Sequence, residues 1–232
     1  MSARPTPHLA IAPDVPAPPP AADVQLSPAL QRFGGGLAFS LGLLMVVVAG
    51  AELFTGNNLL VMAWADGRIG WRDVLRNWAV VGAANAVGAA GLALLVALSG
   101  LADAGDGSLG RTTQRIALAK AALPLDEAFV RGVLCNLLVC MAVWMSLAGR
   151  SVVDKAVAVV FPITGFVAAG FEHSIANLYF FPLAALLGAP LPAGAALAQL
   201  GAVVAGNLVG GSVLVALVYW LIYVRPARRQ AG

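Results

Sequence analysis

Two short polar interruptions in an otherwise apolar chain hold the residues able to do chemistry. The first reads Ala49-Gly50-Ala51-Glu52-Leu53-Phe54-Thr55-Gly56-Asn57, the second Ala169-Gly170-Phe171-Glu172-His173-Ser174-Ile175-Ala176-Asn177. In each, a glutamate is followed five residues later by an asparagine. His173 is one of only two histidines, the other being His8 in the N-terminal region. An ionisable side chain inside an apolar span is costly to keep there, so it marks a functional site by default. Imidazole titrates near neutral pH, which suits His173 to exchanging a proton with a passing weak acid. The alternative is a structural histidine bonded to a loop carbonyl, and the two roles are compatible.

Glu52 and Glu172 read as braces of the interruptions. A buried carboxylate demands partners, and an interrupted helix offers unpaired backbone amides. Asn57 and Asn177 are placed to bond the same loops. Asn85 (in Ala84-Asn85 to Gly88) and Asn207 (in Gly206-Asn207 to Gly210) are expected to fasten the following helices to the interruptions through side-chain bonds. Asn136 reads either as interhelical glue or as a pore-lining donor. Lys120, close to a membrane edge, either snorkels or draws an anion toward a pore mouth. Phe39, Leu43, Leu53, Phe54 and Phe166 are the large apolar residues near the interruptions, and rings of such residues exclude hydrated ions.

The elements that must position these residues are membrane helices. Hydrophobic residues make up 60% of the 232-residue chain, charged residues only 11%, and mean hydropathy is +0.86. That leaves too little charge to cover a water-soluble surface, and the runs are continuous rather than alternating, which argues against a β-barrel. The net charge of +3 is spread over loops and tails rather than gathered in a stripe, so it speaks for topology and against a nucleic-acid partner. Cys135 and Cys140 lie in one apolar helix, five residues apart, and read as small packing residues. The chain carries no nucleotide-binding glycine loop, no metal-ligand cluster and no nucleophile triad; the reading is of a non-enzyme without cofactor.

Residues 1–33, with eight prolines, read as a disordered N-terminal arm, residues 34–226 as the transmembrane domain, and residues 227–232 as a cytoplasmic tail. Within the domain the spans fall at about 34–63 (broken at 52–57), 74–99, 127–147, 156–187 (broken at 172–177) and 196–224, with an amphipathic piece at 113–122. Arg68, Arg72, Arg76, Arg150, Lys155 and the arginines of the C-terminus share one side, the cytoplasmic one. Broken helix then intact helix, twice, with two intact crossings between the broken ones, is the pattern of an inverted-repeat channel or transporter. A three-plus-three repeat would need one more helix before Gly34, which this sequence does not supply; the expectation is therefore five crossings with the N-terminal arm outside.

The runs Phe39-Ser40-Leu41-Gly42-Leu43, Ala51-Glu52-Leu53-Phe54-Thr55, Gly67-Arg68-Ile69, Leu137 to Ser151 and, above all, Gly170-Phe171-Glu172-His173-Ser174-Ile175-Ala176-Asn177 resemble the formate/nitrite transporter family, and within it the formate channels. The resemblance spans about residues 34–226. It implies an all-α, aquaporin-like fold with two broken helices, a homopentamer with one pore per protomer, and residence in a bacterial inner membrane among its lipids. It implies that formate passes, with nitrite or hydrosulfide as alternatives on the same fold, and with protons as a second partner. A remnant or scaffold that transports nothing is the rival from another class. By the same resemblance His173 is the central pore histidine contacted by Thr55, Asn136 is a pore-lining amide and Lys120 the basic residue of the outer vestibule. Leu43, Leu53 and Phe54 belong to the inner constriction, Phe39 and Phe166 to the outer one, and Asn177 completes the second break. The family's first helix is the feature without a counterpart here.

Overall fold

The computed structural model describes residues 27–226, so most of the expected arm and the expected tail lie outside the described residues. Among the described residues there are helices and no strands. They are α1 (Pro28–Ala49), α2 (Leu60–Ala65), α3 (Trp71–Leu98), α4 (Ala104–Ala121), α5 (Leu125–Ser146), α6 (Val152–Ala169), α7 (Ser174–Leu186) and α8 (Ala193–Val224). Five of these are long and apolar enough to cross a membrane: α1, α3, α5, α6 and α8. α1 with α2, and α6 with α7, are the two broken crossings. Two intact crossings, α3 and α5, separate them, so they run in opposite directions through the bilayer.

The breaks arise in the same way in both repeats. α1 and α6 end on Gly50 and Gly170, whose backbones are left-handed at φ 76° and 74°. The residue beyond each glycine bonds back across the turn, Ala51 N–H to Val46 O at 3.1 Å and Phe171 N–H to Phe166 O at 3.0 Å. Only glycine adopts this conformation without a steric penalty, so the chain must leave the helix there. The irregular segments consequently begin two residues before the expected 52–57 and 172–177. The second lasts only four residues, because His173 already caps α7.

α1 starts at Pro28, six residues ahead of the expected Gly34. Ser27 accepts the Leu30 amide at 3.3 Å and Pro28 occupies the first turn, where its missing N–H costs nothing. The proline-rich reading of the arm concealed this start signal. α4 opens with Gly105, Asp106 and Gly107 at positive φ, so its regular turns begin only after Gly107.

α1 packs most extensively on α6, α5 on α8, and α3 on α7. The α5–α8 contact is close enough that a Cβ at Gly206 or Gly210 would meet the Phe129 or Val133 carbonyl oxygen. Absence of side chains there lets the backbones touch, the usual basis of helix association in lipid. The largest buried apolar cluster, including Leu43, Val139, Ile163 and Phe166, joins α1, α5 and α6 beside the second break.

Candidate functional site

His173 sits at the meeting point of the two breaks. As N-cap of α7 it accepts the Ala176 amide on Nδ1 at 3.1 Å. With Nδ1 committed as an acceptor, the neutral ring carries its proton on Nε2 and donates it to Thr55 Oγ1 of the first break, 3.1 Å away. Phe166 stacks on the imidazole with centroids 5.9 Å apart, Phe39 meets it edge-on at 6.0 Å, and the two phenyl rings meet each other at 5.6 Å. A cavity of about 500 Å³ opens beside the imidazole, between α1, α3 and α7. Phe39, Phe166 and His173 contribute to its wall, and so do Leu43 and Leu53. A polar ring edge is thus set among apolar walls.

Each break is held from the neighbouring helix by one asparagine. Asn85 on α3 accepts the Phe54 amide at 2.9 Å and donates to Glu52 O at 3.1 Å. Asn207 on α8 accepts the Ser174 amide at 2.9 Å and donates to Glu172 O at 3.0 Å. The bonded positions are equivalent in the two repeats: the glutamate carbonyl and the amide two residues on. Asn207 makes one bond more, to Gly132 O at 2.8 Å, which ties α5 into the same knot.

The glutamates differ from expectation. The orphan backbone amides are satisfied by Asn85, Asn207 and the His173 cap, so the carboxylates take side-chain donors instead. Glu172 is buried; both its oxygens receive Lys120 Nζ at 2.9 Å, and Oε2 also receives Asn177 Nδ2 at 2.9 Å and Gln199 Nε2 at 3.0 Å. Glu52 is exposed and receives Asn57 Nδ2, which also bonds Asn77 Oδ1 at 2.9 Å. Lys120 is therefore paired with Glu172, with 18% of its side chain exposed.

Asn136 and Phe54 are not brought to the wall of this cavity. Asn136 is fully buried behind the first break, donating to Thr55 O at 3.2 Å and Asn207 O at 2.7 Å, and is not among the residues that wall the cavity. Its donors are spent on the backbone of both repeats. Phe54 turns its ring toward Gly82 of α3 and is likewise absent from the wall. Thr55 reaches His173 from a position with no solvent exposure.

Three more residues bind the site; Asn58 and Gln199 went unremarked in the sequence, and Trp78 reads there only as a headgroup-zone aromatic. Asn58 donates to Asn207 O at 3.2 Å, Trp78 Nε1 donates to Asn57 O at 3.2 Å, and Gln199 bonds both Glu172 and Asn177. The repeat held a signal for one of them, Gln199. Gln199 precedes Asn207, and Asn77 precedes Asn85, by the same interval of about two helical turns.

Comparison with known proteins places this geometry in context. A family model described as formate/nitrite transporter matches residues 15–221. The chain is 42% identical over 215 residues to the formate channel FocA of Escherichia coli (strain K12), covering 84% of this chain and 75% of the relative. It is 40% identical over 223 residues to formate channel FocB of the same strain, covering 88% and 79%. A solved structure titled as a pentameric formate channel with formate bound superimposes with a TM-score of 0.77 at 38% identity, covering 84% of both chains.

Proposed function

The chain belongs to the formate/nitrite transporter family, and from that premise we propose that it is a membrane channel carrying formate through the cavity beside His173. It is a multi-pass membrane protein and not an enzyme. The observation that carries the reading is the polar edge of His173, bonded to Thr55, facing a cavity whose wall is mostly apolar and includes Phe39, Phe166, Leu43 and Leu53. The formate channels among its relatives and the pentameric structure it resembles support formate as the solute and five copies as the assembly.

The physics favours passage with a proton. A bare charge deep in a bilayer costs at least about 3 kcal/mol and as much as about 10 or more. A small carboxylic acid with a pKa near 4 is protonated in about one molecule per thousand at pH 7, a free-energy cost of about 4 kcal/mol. Carrying the proton is thus competitive with desolvating the anion, and it becomes the cheaper route in the driest part of the path. His173 supplies a place for that proton. Taking one on Nδ1 requires the imidazole to release the Ala176 amide, and giving it to formate restores the cap. The charged ring is short-lived for that reason. The exchange is balanced: imidazolium and formate become imidazole and formic acid, and the proton comes from the aqueous side.

Leu43 and Leu53 form the inner apolar wall in this reading, Phe39 and Phe166 the outer one, and Asn136 and the Glu172–Lys120 pair hold the breaks in register. Vesicles containing the purified protein test the reading by formate, nitrite and hydrosulfide uptake under an imposed gradient. Formate uptake well above that of protein-free vesicles supports it. Flux of nitrite or hydrosulfide alone would reassign the solute, and no flux of any would leave a membrane scaffold.

A further inference from the structure

We infer that Gln199 is a positioning residue for the solute path: it clamps the Glu172 carboxylate onto Lys120 and so keeps that ion pair closed beside His173. The inference rests on the channel reading above and deepens it. Gln199 is fully buried on α8. Its Oε1 accepts from Asn177 Nδ2 at 3.1 Å and its Nε2 donates to Glu172 Oε2 at 3.0 Å, so both ends of the amide are engaged and its orientation is fixed.

The comparison between repeats shows what this residue adds. At the equivalent position of the first repeat stands Asn77, one methylene shorter, which accepts from Asn57 and has no bond to Glu52. Glu52 is exposed, while Glu172 is buried and receives donors from α4, α7 and α8. The longer side chain spans from the asparagine to the glutamate and closes the network only in the half that carries the lysine. The titratable groups facing the Glu172 carboxylate are Lys120 from α4, Cys135 from α5 and His173 on the break itself; α7 and α8 meet it with Asn177 and Gln199. Without the clamp, Oε2 loses one of its donors and Asn177 Nδ2 keeps only Glu172 as an acceptor. Lys120 is then freed to hold an arriving anion rather than pass it on to His173.

Two substitutions separate positioning from bulk packing. Gln199→Met keeps the volume and removes both bonds; formate flux is expected to fall about tenfold at every pH. Gln199→Glu is nearly isosteric, and its introduced carboxyl, when protonated, donates to Glu172 and accepts from Asn177 as the amide did. When ionised it sets two carboxylates side by side, which cannot both stay charged without displacing one. Flux of Gln199→Glu is therefore expected to approach that of the unsubstituted protein near pH 5 and to drop about tenfold relative to it near pH 8, a profile that loss of packing alone does not produce. Flux of Gln199→Met equal to the unsubstituted protein, or a Gln199→Glu profile parallel to it across that range, overturns the inference. If Gln199→Met fails to assemble, Gln199→Glu decides alone. Infrared spectra give a readout independent of transport: a neutral-carboxyl band near pH 7 in Gln199→Glu, absent without the substitution and altered when Glu172→Gln is added. No formate flux in the unsubstituted protein refutes the channel reading, while absence of that band refutes the clamp.

Discussion

Replacing Asn207 by alanine is expected to destabilise the protein clearly more than replacing Asn85, although the two occupy equivalent places in the repeats. Truncating Asn207 removes the acceptor of the Ser174 amide and the donor to Gly132 O and Glu172 O, three bonds in a fully buried setting. Truncating Asn85 removes two, to the Phe54 amide and Glu52 O, next to an exposed glutamate. Interhelical side-chain bonds in membrane proteins average about 0.6 kcal/mol and reach about 1.7. Three bonds then sum to about 2–5 kcal/mol, two to about 1–3, with the upper ends relevant to Asn207 because its partners are left buried and unpaired. The backbone carbonyl of Asn207, which receives Asn58 and Asn136, survives the substitution, so the comparison isolates the side chain. Reversible unfolding in mixed micelles with rising dodecyl sulfate, followed by tryptophan fluorescence, measures both variants. Equal losses, or a loss below about 0.5 kcal/mol for Asn207→Ala, the range of an ordinary surface change, would refute the assignment of the knot to this side chain.

Other consequences follow from the packing. Gly206→Leu should separate α5 from α8, since even a Cβ there meets the Phe129 carbonyl; loss of folded protein in size-exclusion chromatography checks it, and a normal profile contradicts the close approach. Gly170→Ala forces a left-handed φ of 74° on a residue with a Cβ, at a cost of about 1–2 kcal/mol, read in the same micelle unfolding. Phe166→Ala removes the ring stacked on His173 and should raise formate flux while admitting chloride, which patch or vesicle conductance detects; unchanged chloride exclusion would count against Phe166 as a barrier.

Much of the fold was legible because lipid leaves few options. Long apolar runs become helices, and the glycines at 50 and 170 flank the polar residues that interrupt them. The paired Glu and Asn positions were legible as a repeat, since each interruption and its following helix carry the same types in the same order. The long-range partners were not. Lys120 lies 52 residues from Glu172, and nothing local says that the lysine belongs to the carboxylate rather than to solvent. Asn136 has the same polar signature whatever it bonds; its partners, the Thr55 and Asn207 carbonyls, are tertiary contacts that no local pattern shows. Phe54 looked like the other large apolar residues for the same reason. The start of α1 was readable from Ser27-Pro28 but was masked by the prolines before it.

Formate is proposed to move past His173 together with a proton. Stopped-flow formate flux into vesicles, recorded from about pH 5 to about pH 8 for the unsubstituted protein and for His173→Phe, tests it most directly, because phenylalanine keeps the ring and removes the proton site. Flux above protein-free vesicles is expected, rising as the outer pH falls, and in His173→Phe a profile without that rise beyond the change in free formic acid. Flux indistinguishable from protein-free vesicles, or two pH profiles that superimpose, would contradict it.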